Sequence, residues 1–224
     1  MKRKLAKYLE KFVTQHRKDL INEILEYRTR YITVVLEDIY QSQNASAVLR
    51  TCECFGIQDV HIIENRCRYE INPDVTLGAN KWLTLIKYRK KDNIIKTAVD
   101  SLKSKGYRIV AATPDKNNKP LEDFDLVKGK AAILLGTELT GLSDEILNLS
   151  DEFLNIPMFG FTRSFNISVS AAIILHHLMS KLRSSEIRWH LTEQEKQDIK
   201  IKWLKQSIKK SDIIENSFIC RLNS

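Results

Sequence analysis

Short apolar runs alternate with segments of helical periodicity over residues 31–182. Six runs are rich in β-branched and other apolar residues, as buried strands are: 31–39, 59–64, 83–88, 107–113, 131–136 and 152–157. Four helices are predicted between or after these runs: about 44–55, about 92–104, a short helix opened by Ser143, and a long helix from about Asn166 to Leu182. This alternation predicts an α/β fold, with a mostly parallel sheet and helices on both of its faces.

The two ends of the chain are basic, whereas the alternating region is nearly neutral. Residues 1–30 hold nine Lys and Arg against four Asp and Glu, and residues 181–224 hold ten against six, which leaves −1 of the total charge of +8 for the rest. We expect helical extensions at 1–28 and 184–224 around a central domain at 29–183, with a Thr192–Glu195 capping box before the last predicted helix. Basic extensions around a neutral core indicate a polyanion-binding protein, although well-solvated lysine-rich helices give the same pattern.

Composition argues against several classes of protein. No run approaches the roughly 18 apolar residues that span a bilayer, and charges occupy the N-terminus where a signal peptide needs an apolar stretch. We therefore expect a cytoplasmic protein without a membrane segment. The four cysteines lack the paired spacing of a zinc site or a disulfide framework, so no metal and no disulfide are predicted.

Glycine is concentrated where an α/β protein binds its ligands, at the carboxyl ends of the strands. The chain has only seven glycines, yet Gly136, Gly141 and Gly160 all follow predicted strands. The G-x-G-x-x-G motif does not occur, and Gly136 to Gly141 has the spacing of a P-loop without the lysine that must follow it. The G-x-S-x-G and H-E-x-x-H signatures are absent from the sequence as well. These observations argue against a dinucleotide-binding fold, an NTPase and the common hydrolases.

Three segments carry a family resemblance, in this order along the chain: QNASAVLRTC (43–52), LGTELTGLS (135–143) and IPMFGFTRSFNISVS (156–170). Each segment resembles a motif of the SPOUT methyltransferases, and together they resemble the TrmH branch of that superfamily. The resemblance extends over roughly residues 30–180 and places the motifs on the appropriate predicted elements. One motif alone is weak evidence, whereas the ordered set of three is specific.

The resemblance implies a deep trefoil knot at about 110–183, S-adenosylmethionine as the cofactor and an obligate homodimer. In this family the knot loops hold the cofactor: backbone groups read the adenine edge, and glycines let the ligand approach closely. Matched position by position, the implied cofactor-binding residues are Thr113, Leu135, Gly136, Gly141, Ile156, Met158, Ser164, Phe165 and Asn166. Phe165 departs from the leucine that is more usual in the family, but it stays apolar.

The implied reaction is methylation of a ribose 2′-hydroxyl, and the implied catalytic residues are Arg50, Asn44, Glu138 and Asn166. Arg50 matches the arginine that the family places at the reacting ribose, yet a guanidinium that is always protonated is a poor base. We favour an Arg50 that binds the adjacent phosphate and lowers the hydroxyl pKa electrostatically; direct general-base action is the rival hypothesis. Glu138 is expected to pair with Arg50 or to orient it. Asn166 is expected to serve both the site and the start of the long helix.

Helical extensions of this kind resemble those of relatives that methylate the D-loop guanosine of transfer RNA, whereas relatives that act on ribosomal RNA tend to carry a folded N-terminal domain. About 28 residues precede the first predicted strand, too few for such a domain. Transfer RNA, at guanosine 18, is therefore the expected substrate. The expected RNA-binding residues are Lys81, Lys196, Lys200 and Lys205. Ribosomal RNA as the substrate, a non-catalytic RNA-binding protein and a scaffold for protein partners are the alternatives.

Overall fold

The computed structural model describes residues 1–89, 92–115 and 118–223, with side chains up to Cys220. The chain divides into two compact units. The larger unit is Arg30–Trp189, and the smaller unit joins Met1–Thr29 to the chain from His190 onward. Within the described ranges, no helix is both long enough and apolar enough to cross a membrane.

The larger unit is built on a parallel sheet, which has seven strands within the described residues. The strands are β1 Ile32–Glu37, β2 Asp59–Glu64, β3 Thr84–Arg89, β4 Arg108–Ala112, β5 Lys119–Pro120, β6 Ala131–Leu135 and β7 Glu152–Asn155. Their order across the sheet is β3-β2-β1-β6-β4-β7-β5, and neighbouring strands run parallel. The predicted α/β fold with a mostly parallel sheet is confirmed.

The helices occur where the periodic segments predict them, with two additions. They are α1 Lys2–Leu9, α2 Gln15–Glu26, α3 Ser42–Cys54, α4 Pro73–Thr76, α5 Ile94–Ser104, α6 Asp144–Leu149, α7 Ile167–Arg183, α8 Glu193–Ser207 and α9 Ser211–Asn223. Single turns of 3₁₀ helix lie at Glu10–Phe12, Ala79–Lys81 and Leu121–Asp123. The α4 and α9 helices and strand β5 are not among the predicted elements. Strand β5 has two residues and α4 has four, too few for a periodic pattern to reveal them.

Strand side chains alternate between two apolar clusters on opposite faces of the sheet. In β1, Val34 and Leu36 belong to one cluster and Val35 to the other. The first cluster contains residues of α3 and α7: Val48, Leu49, Leu175 and Leu178. The second contains residues of α5 and α6: Ile95, Val99 and Ile146. Helices therefore cover both faces, as predicted, and the carboxyl ends of the strands stay open at one edge for a ligand.

In the smaller unit, α8 begins at the predicted capping box. The Thr192 hydroxyl accepts the Glu195 backbone N–H at 3.3 Å, and the Glu195 carboxylate accepts the Thr192 backbone N–H at 2.8 Å. Arg28 is buried with only 1% of its surface exposed, and its guanidinium lies 5.1 Å from the ring centroid of Trp203. A cation over an indole face is stabilised when it is shielded from water, so this contact supports the packing of α8 within the unit.

His61 makes the stability of the larger unit depend on pH. Its side chain is buried in β2 with Nδ1 2.9 Å from the Tyr88 hydroxyl. Burial, with a smaller contribution from Lys105, lowers its pKa from 6.5 to about 4. Because the folded pKa lies below the unfolded one, this contribution to stability is complete above pH 6.5 and is lost as the pH falls towards about 4. The full loss is about 3 kcal/mol.

We expect His61→Asn to weaken this acid sensitivity, because asparagine keeps a hydrogen-bonding group near Nδ1 but does not titrate. The measurement is the free energy of unfolding in urea at about pH 7.5 and about pH 5. On acidification the wild-type protein should lose about 2 kcal/mol more than the variant. Equal losses in the two proteins would contradict this assignment of the acid sensitivity.

Candidate active site

A cavity of about 410 Å³ lies at the carboxyl ends of β4, β6 and β7. Its volume falls within the range of small-molecule sites. It brings together eight of the predicted cofactor-binding residues: Thr113, Leu135, Gly136, Gly141, Ile156, Met158, Ser164 and Phe165. Asn166, the remaining one, is not among the lining residues. The three loops that the sequence singled out therefore converge on one concave site.

The loop after β6 folds back on itself to form one wall of the cavity. Thr137 and Gly141 exchange two backbone hydrogen bonds of 3.0 Å each, and Gly141 has a φ of 70°, in the left-handed region that glycine adopts readily. A Cβ atom added at Gly136 would overlap the backbone of Gly141 and Leu142. Glycine at position 136 thus allows the two ends of the loop to touch, which closes the wall.

Glu37 fixes the end of this loop from the centre of the sheet. It is the last residue of β1, only 3% exposed, and its carboxylate accepts the Ser143 backbone N–H at 2.8 Å. Burial raises the pKa of Glu37, and the hydrogen bonds from Ser143 oppose that shift. The Ser143 hydroxyl in turn accepts the Ile146 backbone N–H at 3.3 Å and caps α6, as predicted.

Three of the predicted catalytic residues form a hydrogen-bonded chain. The Asn44 amide donates a short hydrogen bond to the Glu138 carboxylate, and the Asn166 amide donates to Asn44 Oδ1 at 3.2 Å. The Asn166 Oδ1 atom also accepts the Ser168 backbone N–H at 2.8 Å, so this residue caps α7 as well. The chain joins α3 to the loops after β6 and β7, which both line the cavity.

Arg50 lies apart from this chain. It is exposed on α3, on the side where Asn44, Ala47 and Thr51 also keep some exposure, and it does not line the cavity. The expected ion pair between Arg50 and Glu138 does not form among the described residues, where Glu138 bonds to Asn44 instead. The exposed Arg50 guanidinium is therefore accessible to a ligand.

The chain through Asn44 gives a testable prediction. Asn44→Ala removes three side-chain hydrogen bonds, with Gln41, Glu138 and Asn166, which should lower kcat/KM by about tenfold. Asn44→Asp has the same shape, but it places a carboxylate against Glu138, so we expect a larger loss than in the alanine variant. Kinetics of the methylation that the resemblance implies, measured for both variants with thermal unfolding as the control for folding, check this order. An aspartate variant as active as the wild type would contradict it.

The predicted RNA-binding lysines of the extensions are ion-paired within the smaller unit. Their partners are Glu26 and Glu193 for Lys196, Glu10 for Lys200, and Asp212 and Glu215 for Lys205. The side chains of Lys196 and Lys200 are only 15% and 19% exposed, so these two lysines are partly shielded from solvent. Lys81 belongs to the larger unit, where it is exposed at the end of the turn Ala79–Lys81. Contact of these four residues with RNA stays a prediction.

Two residues of the site lie outside the sequence predictions. Glu37 directly follows five apolar or β-branched residues of a buried strand, and a charge in that position is a visible signal. Arg163 lines the first cavity and an adjoining one of about 780 Å³, whose wall includes Phe153 and Phe161.

Among the described residues, no group of three or more His, Cys, Asp or Glu is placed to hold a metal ion.

Comparison with known proteins gives consistent results. A model of the SpoU rRNA Methylase family matches residues 31–176. A tRNA (guanosine(18)-2'-O)-methyltransferase of Borreliella burgdorferi is 47% identical over 208 residues, which cover 93% of each chain. The fold is similar to that of the A. aeolicus TrmH/SpoU tRNA modifying enzyme, with a TM-score of 0.75 and 29% identity over 88% of this chain and 98% of that one. It is also similar to the SpoU methyltransferase AviRb of Streptomyces viridochromogenes in complex with AdoMet, with a TM-score of 0.56 and 18% identity over 73% of this chain and 62% of that one.

The family match covers more than half of the chain and contains all three of the motifs on which the resemblance rests. The methyltransferase resemblance stated from those motifs is thereby confirmed. The parallel sheet, the cavity at its carboxyl edge and the sequence relatives agree: the chain belongs to the SpoU rRNA Methylase family.

Proposed function

We propose that the protein transfers a methyl group from S-adenosylmethionine to the 2′-hydroxyl of guanosine 18 in transfer RNA. The observation that carries the proposal is the 47% identity to the Borreliella burgdorferi enzyme over 93% of both chains. That similarity extends beyond residues 31–176, the part that the family model matches, and so takes in much of the basic extensions. The extensions are where substrate choice is expected, so the similarity supports the substrate as well as the reaction.

The cavity fits the cofactor in size and in chemistry. S-adenosylmethionine, when bound, supplies a methyl group carried on a positively charged sulfur. Backbone groups at Leu135, Ile156 and Met158 would read the adenine edge, and Phe165 would add apolar contact. Ser164, which also lines the cavity, would hydrogen-bond the ribose or the methionine end of the cofactor. Gly136 lets the loop after β6 fold back on itself, which forms the wall that this ligand would contact.

Arg50 would activate the ribose. A ribose hydroxyl is a very weak acid and must lose its proton as it attacks the methyl carbon. A guanidinium bound to the neighbouring phosphate stabilises the developing oxyanion, and the phosphate is the proposed acceptor of the proton. The chain from Asn166 through Asn44 to Glu138 would keep α3, which carries Arg50, in register with the cofactor loops.

The position of Arg50 supports a homodimer. Because Arg50 does not line the cavity of its own subunit, we propose that it serves the cavity of the partner subunit across a two-fold interface. In the α7 segment AAIILHHLM, most apolar residues are buried in the core of the same subunit, so only Ala172, Ile173, His176 and His177 keep exposed surface for such an interface. The proposal also includes a trefoil knot at about 110–183, extensions at 1–28 and 184–224 that bind transfer RNA, and a cytoplasmic location.

Methylation of purified transfer RNA and ribosomal RNA with methyl-labelled S-adenosylmethionine, followed by nucleoside digestion, tests the function. The expected result is label in 2′-O-methylguanosine from transfer RNA. Label in ribosomal RNA would support the alternative substrate, and label on a base would contradict the reaction. RNA binding without cofactor binding in calorimetry would identify a non-catalytic RNA-binding protein.

A further inference from the structure

A short loop after β2 carries two exposed arginines, Arg66 and Arg68. We call Asn65–Arg68 the arginine loop. Oδ1 of Asp38 accepts the backbone N–H groups of Asn65, Arg66 and Cys67 at 2.8, 2.8 and 3.2 Å. Asp38 is only 6% exposed and has a φ of 49°, in the left-handed region that aspartate enters more readily than most residues other than glycine. A buried carboxylate therefore fixes the backbone of the arginine loop from beneath.

A second buried carboxylate holds the residues that follow. Glu64, the last residue of β2, is 7% exposed and accepts the Tyr69 backbone N–H at 3.0 Å, while it also pairs with Arg89 of β3. Both carboxylates that adjoin the arginine loop are thus engaged by backbone groups or by β3. Within the part of the chain that the structure describes, neither Arg66 nor Arg68 makes a side-chain hydrogen bond or an ion pair.

The arginine loop lies at the same edge of the sheet as the cavity, because both follow the carboxyl ends of parallel strands. Two consecutive residues, Glu37 at the end of β1 and Asp38 directly after it, contact the cavity wall and the arginine loop. The Glu37 carboxylate accepts the Ser143 backbone N–H, and the Asp38 carboxylate accepts backbone N–H groups of the arginine loop. Tyr40, two residues further along, exposes 63% of its surface, and the neighbouring Cys67 thiol raises the pKa of its hydroxyl. The Arg66 guanidinium is close enough to act electrostatically on Tyr40, so an exposed aromatic ring accompanies the arginine loop.

We propose that the arginine loop is a binding site for the RNA backbone, in which Arg66 and Arg68 hold phosphates of the strand whose ribose is methylated. The inference rests on the proposed function and adds a site on the core of the protein to the contacts expected of the extensions. Guanidinium groups bind phosphate oxygens bidentately, and a fixed backbone reduces the entropy lost on binding. Tyr40 offers a face on which an unpaired base can stack, a combination that suits single-stranded RNA better than a free anion.

The test is the affinity of the full-length protein for a transfer RNA transcript without cofactor, measured over a series of salt concentrations. The variant is Arg66→Ala with Arg68→Ala. The matched control is Lys105→Ala with Lys130→Ala, which removes the same charge from two exposed residues at the amino ends of β4 and β6. We expect the arginine variant to bind about tenfold more weakly and to reduce the slope of log affinity against log salt by about one to two. The control should change both quantities much less.

Two further measurements keep the outcomes separate. Cofactor affinity by calorimetry should be unchanged in the arginine variant, and its urea unfolding curve should match that of the wild type. A salt slope equal to that of the control would overturn the inference, and so would a change of oligomeric mass in sedimentation, which would place the arginines in a subunit contact. Because binding is measured without methyl transfer, a wild type that binds RNA through these arginines but methylates nothing would overturn the proposed function alone.

Discussion

Replacement of Arg50 by alanine is expected to lower kcat/KM for transfer RNA by about 10²- to 10³-fold, the usual effect of removing one group that stabilises charge in a transition state. Cofactor affinity should be nearly unchanged, because the proposed contact of Arg50 is with the RNA phosphate beside the ribose and not with the cofactor. Steady-state kinetics together with calorimetry check both parts. A loss of cofactor affinity equal to the loss of activity would contradict the assignment of Arg50 to the ribose.

Arg50→Lys separates the two proposed roles of the arginine. Lysine keeps the positive charge and loses the planar, bidentate contact with phosphate, so an intermediate activity is expected. If Arg50 acts electrostatically, the pH–rate profiles of the two proteins have the same shape and differ in height. General-base action predicts a change of shape, because lysine titrates at lower pH than arginine. Largely retained activity in the lysine variant would count against any special role for the guanidinium.

Replacement of Gly136 by alanine is expected to reduce cofactor affinity by about 10- to 100-fold and to lower the free energy of unfolding by about 1–3 kcal/mol. The added Cβ would overlap the backbone of Gly141 and Leu142, so the loop after β6 would have to open. Backbone atoms cannot move aside as a flexible side chain can. Calorimetric titration with S-adenosylmethionine and urea unfolding give the two quantities.

Gly160→Ala is the matched control for this prediction. Gly160 also follows a strand in the site, but a Cβ there meets no atom within 4 Å. Its substitution should leave cofactor affinity and stability near those of the wild type. If both alanine variants bound the cofactor equally well, the close approach at Gly136 would have no part in forming the site.

The sequence predicts the sheet and the cavity well because both depend on local patterns. The run of apolar residues at β1 and the helical spacing in α7 reflect burial, which repeats along each element. The cavity also depends on a local pattern, because its glycines and motif residues directly follow the strands whose carboxyl ends form it. The α9 helix is harder to predict: it follows Lys210, whose φ of 57° turns the chain, and a lysine carries no signal for a left-handed conformation.

Ion pairs and hydrogen bonds between residues far apart in the sequence are the contacts that the sequence does not predict. Lys196 and Glu26 are 170 residues apart yet form an ion pair of 2.6 Å, so a count of charged residues along the sequence does not show which lysines are already paired. The link between Glu138 and Asn44 is of the same kind, and it replaces the expected partner Arg50. The sequence also does not predict the contacts of the Asp38 carboxylate. Its three donors are backbone N–H groups of the loop after β2, nearly 30 residues further along the chain.

The central claim is that the protein methylates the ribose of guanosine 18 of transfer RNA, and one pair of substrates tests it most directly. A transfer RNA transcript with guanosine at position 18 and an otherwise identical RNA with 2′-deoxyguanosine there are each incubated with protein and S-adenosylmethionine, digested with ribonuclease and analysed by mass spectrometry. The account predicts one added methyl group on the fragment that contains guanosine 18, and none on the deoxy substrate. Methylation of the deoxy substrate, or of a different nucleotide in the first, would contradict it.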